Sequence, residues 1–326
     1  MLTANQIDTP LCSCCKSTSK TFLHHVYDHE YHTTEQQFPL NKCNECGLIY
    51  LSPRPNQNAL DIIYPISYNN FHTRVDDEIS YVQKVTNFLQ SLRLKKLIHK
   101  YFPKRHAIKV LDVGCGDGFI LDRIKSTFSD FKTYGVEPNK YAAEWAGKNH
   151  DVYCGLIEDY HTQTKFDLIT SSHVIEHVSD PLGFLIKLKS MLNENGILII
   201  DTPNIDCLQY KIFGKYWGGI HAPRHWTLFS VKTLQETARR AGLETLDIRQ
   251  MPINVFWIWS IHSMLYQFPK LRVFADKFFD PVKCSSKKSY YYFFLIVISE
   301  LLDRIVKFFG LGVGQQRAIF IKNKYD

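Results

Sequence analysis

The N-terminal segment carries cysteines at the spacing of metal ligands. Cys12 and Cys15 form one C-x-x-C pair, and Cys43 and Cys46 form a second. Two such pairs can place four thiolates around one ion, and a tetrahedral site filled by protein ligands is typical of structural zinc, because no position is left for a catalytic water. Cys14 could replace a member of the first pair, and further donors in the same segment are His24, His25, His29 and His32. We therefore expect a structural zinc site, with reduced cysteines that bind no metal as the alternative.

A second group of residues indicates a ligand-binding turn. The apolar run Val110–Val113 is typical of a strand, and Gly114, Gly116 and Gly118 follow it at alternate positions. Glycine adopts positive φ without a clash, and the start of the helix that follows offers free N–H groups to an anion. A dinucleotide fingerprint would need its third glycine at Phe119. We therefore expect this turn to hold the methionine carboxylate of S-adenosylmethionine (SAM), with a purely structural turn as the alternative.

Residues further along complete the predicted cofactor site. Glu137 ends the next strand, where a carboxylate can accept hydrogen bonds from both ribose hydroxyls of an adenosine. We expect Ile157 to pack on the adenine ring, with Glu158 or Asp159 near the adenine amino group. The complete set of predicted cofactor-binding residues is Asp112, Gly114, Cys115, Gly116, Asp117, Gly118, Glu137, Pro138, Ile157, Glu158 and Ser171.

Histidines follow the later strands, where ligands of open α/β sheets bind. Methyl transfer from a sulfonium is an in-line displacement that needs a base when the acceptor carries a proton. His177 is the first candidate because the ordinary pKa of histidine is near neutrality, and His225 in the segment GGIHAPRHW is the second. His173 is the third, since it shares a face with His177 if that turn is helical. The alternative for these residues, and for Glu176, is a structural role in fixing their loops.

Together these motifs are similar to a known family. VLDVGCGDG, YGVEPN and FDLITSSHVIEHVSDP resemble class I SAM-dependent methyltransferases, in particular a subgroup with an E-H-V-x-D-P segment, and the resemblance covers about residues 108–250. It implies methyl transfer from SAM, with O-methylation as the first expectation and a SAM-binding module without turnover as an alternative. In ubiquinone-type O-methyltransferases a similar segment has a carboxylate where His173 stands and is associated with a divalent ion. The histidine here removes that ligand.

Two other resemblances concern the N-terminal cysteine segment and the loop that holds His225. CNECGLIYLSPRP resembles a zinc-ribbon segment found before methyltransferases of this subgroup, although Lys16 stands where that pattern usually has glycine. Zinc-bearing sugar C-methyltransferases use a histidine base in a loop similar to the one that holds His225. That resemblance implies C-methylation of a sugar as the second expectation.

The pattern of strands and helices predicts the scaffold that positions these residues. Apolar strand runs alternate with helix patterns from Ile108, and two late strands follow a helix that Ser230 can cap and Gly242 can end. We predict an α/β fold: a Rossmann-like seven-stranded methyltransferase sheet with a small zinc-ribbon-like module and a helical C-terminal addition. The expected divisions are 1–55 (zinc-binding module), 56–105 (helical lead-in, with helical spacing over Glu78–Tyr101), 106–250 (SAM-binding core) and 251–326 (apolar helices and the last strand).

The net charge of the chain and the apolar character of its C-terminal third indicate which partners we expect. A net charge of +7 is mild for 326 residues and no nucleic-acid motif accompanies it, so we expect no nucleic-acid partner. Residues 251–309 are aromatic and apolar but do not form a clear bilayer span, which needs about 20 apolar residues. Peripheral membrane contact, helped by Lys283, Lys287 and Lys288, is one expectation, and a lid over the acceptor pocket or a dimer contact is the other.

The predicted acceptor is a small molecule, a glycan or a lipid-linked compound. The first residues show no secretory pattern, so we expect a cytoplasmic protein, with the inner face of the membrane as an alternative location. The oligomeric state does not follow from the sequence.

Overall fold

The structure of the protein is a computed structural model that describes residues 2–65, 95–103, 107–253, 255–281, 283 and 290–323. Most of the helix expected over Glu78–Tyr101 lies outside these ranges, and residues 95–101 are helical.

Short antiparallel strands build the N-terminal segment. They are β1 (Ile7–Asp8), β2 (Lys20–Val26), β3 (Phe38–Cys43), β4 (Ile49–Leu51) and β5 (Arg54–Pro55), followed by the single-turn helix α1 (Leu60–Ile63). β2, β3 and β4 pair in sequence order, and β1 pairs with β5. This arrangement places the two cysteine pairs next to each other, because one precedes β2 and the other ends β3.

The core is the expected alternation of strands and helices. Its strands are β6 (Lys109–Val113), β7 (Lys132–Glu137), β8 (Asp151–Cys154), β9 (Phe166–Ser172), β10 (Leu192–Pro203), β11 (Thr227–Leu228), β12 (Leu243–Met251) and β13 (Gln315–Lys322). Its helices are α2 (Phe119–Thr127), α3 (Lys140–Ala146), α4 (Pro181–Met191), α5 (Leu208–Phe213), α6 (Val231–Arg240), α7 (Phe256–Tyr266), α8 (Arg272–Phe278) and α9 (Tyr290–Phe308).

The seven-stranded sheet has the order β12-β13-β10-β9-β6-β7-β8. The central strands are parallel, and β13 runs antiparallel to both β10 and β12. This confirms the predicted Rossmann-like sheet with two late strands. The carboxyl ends of β6, β7 and β9 therefore lie along one edge, where the predicted cofactor and acceptor residues begin.

The helix signals read from the sequence are present in α6. The Ser230 hydroxyl accepts a hydrogen bond from the Thr233 amide at 3.1 Å, as an N-cap does, and Gly242 follows the helix with a φ of +75°.

The N-terminal sheet continues into the core rather than standing apart from it. β11 pairs with β4, so the small sheet has the order β11-β4-β3-β2. Leu48 and Tyr50 belong to the same buried cluster as Leu111 and Ile200 of the large sheet. The cysteine-bearing segment is thereby fixed against the loop that contains GGIHAPRHW.

The C-terminal helices pack beside the acceptor-side loop. α7 contacts the 3-10 turn Gly218–Ile220, and the Ser260 hydroxyl of α7 accepts a hydrogen bond from the Gly218 amide at 2.9 Å. α9 packs on α7 through Tyr292 and Ile258. Within the part of the chain that the structure describes, no helix combines the length and apolar character needed to cross a bilayer.

Candidate active site

The glycine turn between β6 and α2 has the predicted backbone conformation. Gly114, Gly116 and Gly118 have φ values of +74°, +55° and +80°, in the region that favours glycine. A Cβ atom built at Gly114 would lie 2.3 Å from the Val174 side chain, whereas one at Gly116 would meet nothing within 4 Å. The turn is thus packed against the segment after β9 on one side and leaves space on the other.

Glu137 lies directly beneath this turn. Its carboxylate accepts hydrogen bonds from the Gly116 amide at 2.9 Å and the Asn139 amide at 2.8 Å. Burial raises the pKa of Glu137, and the two N–H groups oppose that effect. The structure therefore brings together the turn and the acidic residue that the sequence analysis assigned to one site.

Two buried polar atoms in this region have no hydrogen-bond partner among the described residues. They are Asp112 Oδ2 and Ser171 Oγ, at the carboxyl ends of the neighbouring strands β6 and β9. The Thr170 hydroxyl donates to the other oxygen of Asp112 at 2.7 Å, and burial raises the Asp112 pKa to about 7. Buried polar atoms normally have partners, so these two fit a site that takes a polar ligand such as SAM.

The remaining predicted cofactor residues surround the same edge. The Asp117 carboxylate accepts a hydrogen bond from the Phe119 amide at 3.1 Å, and Cys115 packs against Gly135 of β7. Ile157 is buried in a 3-10 turn that spans Ile157–Asp159, while Glu158 is exposed. Pro138 directly follows β7. Contacts between these residues and an adenine stay a prediction.

On the acceptor side, a buried carboxylate organises the histidines. Glu176 is fully buried and accepts hydrogen bonds from His173 Nδ1 at 3.1 Å and from the Thr202 hydroxyl at 2.9 Å. Burial raises the Glu176 pKa, but the hydrogen bond and charge of His173 outweigh it, and the net shift is downward. Nε2 of His173 lies 3.1 Å from Nε2 of Gln315. These contacts give His173 a fixed orientation beside Glu176.

His177 and His225 form a pair whose ring centroids are 4.6 Å apart. Nδ1 of His225 lies 2.9 Å from the Gly219 carbonyl, and Nδ1 of His177 lies 3.1 Å from the Arg224 carbonyl. A carbonyl only accepts, so Nδ1 of His225 carries the proton and its Nε2 holds a lone pair. Nδ1 of His177 also lies 2.8 Å from the Tyr64 hydroxyl, which can donate or accept. Nε2 of His225 is 3.9 Å from the Glu176 carboxylate.

Burial changes the titration of this histidine pair from that of free imidazole. Burial lowers the pKa of His177 to about 4 and that of His225 well below its ordinary value, with neighbouring histidines adding to the effect. Both side chains are therefore neutral at pH 7, and burial makes each a weaker base than a free imidazole.

Three residues that were not singled out from the sequence contact His221, Arg224 or His177 in the fold. Glu30 bonds Nδ1 of His221, and Asp28 pairs with Arg224, with Nη2 and Oδ2 2.7 Å apart. The Tyr64 hydroxyl lies 2.8 Å from Nδ1 of His177. The only local signal for the acids was their presence in a His-rich segment, and nothing in that segment points to a partner more than 190 residues away.

The four predicted cysteine ligands converge. The sulfur atoms of Cys12 and Cys46 are 3.5 Å apart, as are those of Cys15 and Cys43, and all four lie within 4.8 Å of one another. A tetrahedral zinc ion with Zn–S bonds of about 2.3 Å would hold its thiolates at about 3.8 Å from each other. The donor set therefore fits zinc. Cys14 is buried but lies outside this group.

A second group of donors lies at the acceptor side. Ligand atoms of Glu176, His177 and His225 are also within 4.8 Å of one another. His173, which replaces the carboxylate of the ubiquinone-type segment, donates to Glu176 and so takes part in this arrangement indirectly.

Comparison with known proteins identifies the family of the chain. The model of the methyltransferase domain family matches residues 86–248, half of the chain. A ubiquinone biosynthesis O-methyltransferase of Cereibacter sphaeroides (strain ATCC 17029 / ATH 2.4.9) is 28% identical over 172 residues, which are 48% of this chain and 68% of that protein. The enzyme of the same name from Actinobacillus pleuropneumoniae serotype 5b is 36% identical over 115 residues, which are 32% of this chain and 49% of that protein.

Among solved structures, a Galdieria sulphuraria protein described as a sarcosine dimethylglycine methyltransferase superposes with a TM-score of 0.50 at 13% identity. The match covers 74% of this chain and 88% of that one, and at this identity it supports the fold alone. The fold and the glycine turn thus define a class I α/β methyltransferase. The chain belongs to the methyltransferase domain family and is a SAM-dependent methyltransferase.

Proposed function

We propose that this protein transfers the methyl group of SAM to a hydroxyl oxygen of a small-molecule acceptor. The observation that carries the proposal is the position of two neutral histidines, buried His225 and partly buried His177, next to the turn that holds Gly114. Val174 bridges the two regions, because it contacts Gly114 and directly follows His173. A methyl donor in the turn and an acceptor beside the histidines would then be neighbours.

In the proposed cofactor site, SAM supplies an electrophilic methyl group on a sulfonium. The helix start after Gly118 and the open space at Gly116 would receive the methionine carboxylate. Glu137, held by two backbone amides, would accept the ribose hydroxyls. Asp112 and Ser171 offer the unpartnered atoms for the remaining polar groups.

On the acceptor side, we assign the role of base to His177. In the tautomer that donates from Nδ1 to the Arg224 carbonyl, Nε2 would take the acceptor proton as the oxygen attacks the methyl carbon. The Tyr64 hydroxyl and the Arg224 carbonyl fix the ring. His225, held in the same way by the Gly219 carbonyl, is the second candidate.

We infer that the acceptor is an aromatic or lipid-linked compound with a hydroxyl group. Relatives named for ubiquinone biosynthesis favour an aromatic or lipid-linked hydroxyl compound, and the aromatic helices beside the site agree with a bulky apolar acceptor. A sugar carbon is the second acceptor class, because His225 lies in a loop similar to that of the sugar C-methyltransferases. Because SAM is a cytosolic metabolite, we place the reaction in the cytoplasm, with a lipid-linked acceptor reached from the inner face of a membrane.

The cysteine group is proposed to hold one structural zinc ion. Its four thiolates leave no position for a catalytic water, so the ion would only fix the N-terminal segment that carries Asp28 and Glu30. The group of Glu176, His177 and His225 has the donors for a divalent cation, and an ion there would polarise the acceptor oxygen. Metal analysis of the purified protein distinguishes an ion in the cysteine group from an ion at Glu176. We expect one equivalent of zinc, which is lost in Cys43→Ser and retained in Glu176→Gln. A second equivalent that disappears in Glu176→Gln would replace the base assignment with a metal role.

Turnover is tested with radiolabelled SAM and fractions of small molecules, sugar nucleotides and lipid extract. We expect label in a hydroxylated compound, and His177→Asn to reduce the rate by about 100-fold or more while SAM affinity is unchanged. His99→Asn is the matched control, because His99 is exposed and contacts Phe128, at the end of α2 that is opposite to the glycine turn. Calorimetry without any SAM binding would contradict the cofactor assignment. Normal turnover in both His177→Asn and His225→Asn would contradict the assignment of the base.

A further inference from the structure

The outer face of α9 is apolar although it is exposed. The side of the helix that packs on the protein carries Tyr292, Ser299, Asp303 and Val306. The opposite side, which we call the apolar stripe, consists of Tyr290, Tyr291, Phe294, Val297, Ile298, Leu301, Leu302, Ile305 and Phe308, and Phe309 continues it just beyond the helix. Its members are spaced by one, three or four residues and so form one continuous helical face. Phe294 is 61% exposed and Phe308 is 85% exposed.

Helix α8 extends this surface. Val273 is 79% exposed and Phe274 is 47% exposed. The ring of Phe274 lies 4.7 Å from that of Phe278, which in turn lies 6.0 Å from that of Tyr291, so these rings connect α8 to the start of the stripe. Contiguous apolar surface of this extent is uncommon on the outside of a soluble monomer and marks an interaction site.

The sequence that contains α8 and α9 carries an excess of positive charge. Residues 268–309 contain eight Lys and Arg against four Asp and Glu. One of the acids, Asp303, is buried and accepts hydrogen bonds from Gln209 and Trp257, and another, Glu300, is paired with Arg304. An excess of one sign repels a second copy of the same surface and attracts a surface of opposite sign.

We propose that the apolar stripe and the exposed side of α8 dock onto the surface of an anionic phospholipid bilayer. A 19-residue helix is about 28 Å long, and it would lie in the interface with its apolar side among the acyl chains and its cations at the headgroups. Tyr and Phe residues at both ends of the stripe suit this depth, because aromatic rings favour the membrane interface.

The docked surface is one helix away from the acceptor side. Tyr292 of α9 packs on Ile258 of α7, and Trp259 of α7 stacks on His221 with ring centroids 5.7 Å apart. A lipid-phase acceptor would therefore reach the histidines past α7. This last link rests on the proposed function, whereas the docking surface itself does not.

The test is flotation of the full zinc-replete chain with vesicles of phosphatidylglycerol and phosphatidylcholine, and with phosphatidylcholine alone. We expect wild type to float with the anionic vesicles and to be released by salt. The double variant Phe294→Glu/Ile305→Glu should bind at least about tenfold more weakly, since apolar burial and attraction to anionic lipid are both reduced. The matched control is Ile186→Glu, because Ile186 is also a helical isoleucine, 49% exposed against 53% for Ile305.

A second variant distinguishes a specific loss of membrane binding from misfolding. Lys270→Gln/Lys277→Gln leaves the apolar residues in place and should weaken binding about fivefold for each charge removed. SAM binding by calorimetry, without vesicles, should be unchanged in every variant. Wild type that stays in solution with anionic vesicles would overturn the inference, as would equal loss of binding in Ile186→Glu. Sedimentation velocity that shows a dimer dissociated by the double variant would also overturn it and would assign the stripe to self-association. Failure of wild type to bind SAM would overturn the proposed function and leave vesicle binding to be judged separately.

Discussion

Replacing Asp28 by Asn tests whether the cysteine-bearing segment is energetically coupled to the acceptor-side loop. Asp28 and Arg224 are both fully buried, and their atoms meet at 2.7 Å and 3.2 Å. Burial raises the Asp28 pKa, but the charge and hydrogen bonds of Arg224 outweigh it and hold that pKa well below its usual range. The Tyr31 and Thr33 amides also donate to this carboxylate.

The expected cost of Asp28→Asn is about 3–5 kcal/mol in the free energy of unfolding, because Arg224 keeps its charge in a buried position without a counter-ion. The matched control is Asp180→Asn. Asp180 pairs with Lys16 across the same boundary at 3.4 Å, but both side chains are more than half exposed. That exposed pair should contribute about 0–1 kcal/mol.

The assay is urea denaturation of the zinc-replete protein at several pH values. The Asp28 carboxylate has a lowered pKa in the fold, so its contribution is present above the unfolded-state pKa of about 3.9 and is lost as the pH falls through the folded value. The difference between wild type and Asp28→Asn should therefore be constant from about pH 5 to 8 and shrink in stronger acid. Equal losses in Asp28→Asn and Asp180→Asn, or a loss below about 1 kcal/mol in the former, would refute the reasoning.

Two further predictions concern single positions. Lys16 follows the first cysteine pair with a φ of +60°, and Gly47 follows the second pair with a φ of +79°. Lys16→Gly should therefore stabilise the fold by about 0.5–1 kcal/mol in thermal or urea unfolding, whereas Lys16→Ala should not. No gain in stability from glycine would contradict the argument that the Lys16 backbone is strained. The pKa of Asp112 is raised to about 7 in the fold, so the folded protein keeps a proton that the unfolded chain has already released. The free energy of unfolding should therefore decrease as the pH rises from about 4 to 7. Asp112→Asn removes this titrating carboxyl, so the stability of the variant relative to wild type should rise by up to about 1.4 kcal/mol per pH unit between about pH 4 and 7. A stability difference that does not change with pH would show that the pKa of Asp112 is not raised.

Much of the scaffold could be predicted because its signals are local. The glycines at 114, 116 and 118 meet a steric requirement of a single turn, and Ser230 caps the helix that begins at the next residue. The alternation of strands and helices sets the parallel sheet, and the sheet brings the ends of β6, β7 and β9 to one edge.

The acceptor side was predicted only in part. The segment that contains Glu176, His177 and His225 was identified, but the environment that lowers the pKa of His177 to about 4 comes from packing, which the sequence does not display. The same holds for Glu30 at His221, since a hydrogen bond between residues so distant along the chain depends on how the small sheet joins the large one.

The α/β order of elements, the glycine turn and the two cysteine pairs can be read along the chain, because each depends on residues that are close together in sequence. Which distant side chains meet, and which side of a helix faces outward, depends on how the elements pack. Helix α9 shows the difference. Its periodicity is that of any amphipathic helix, and only the packing of Asp303 against Gln209 and Trp257 reveals that the side with Asp303 is buried and the apolar stripe is exposed.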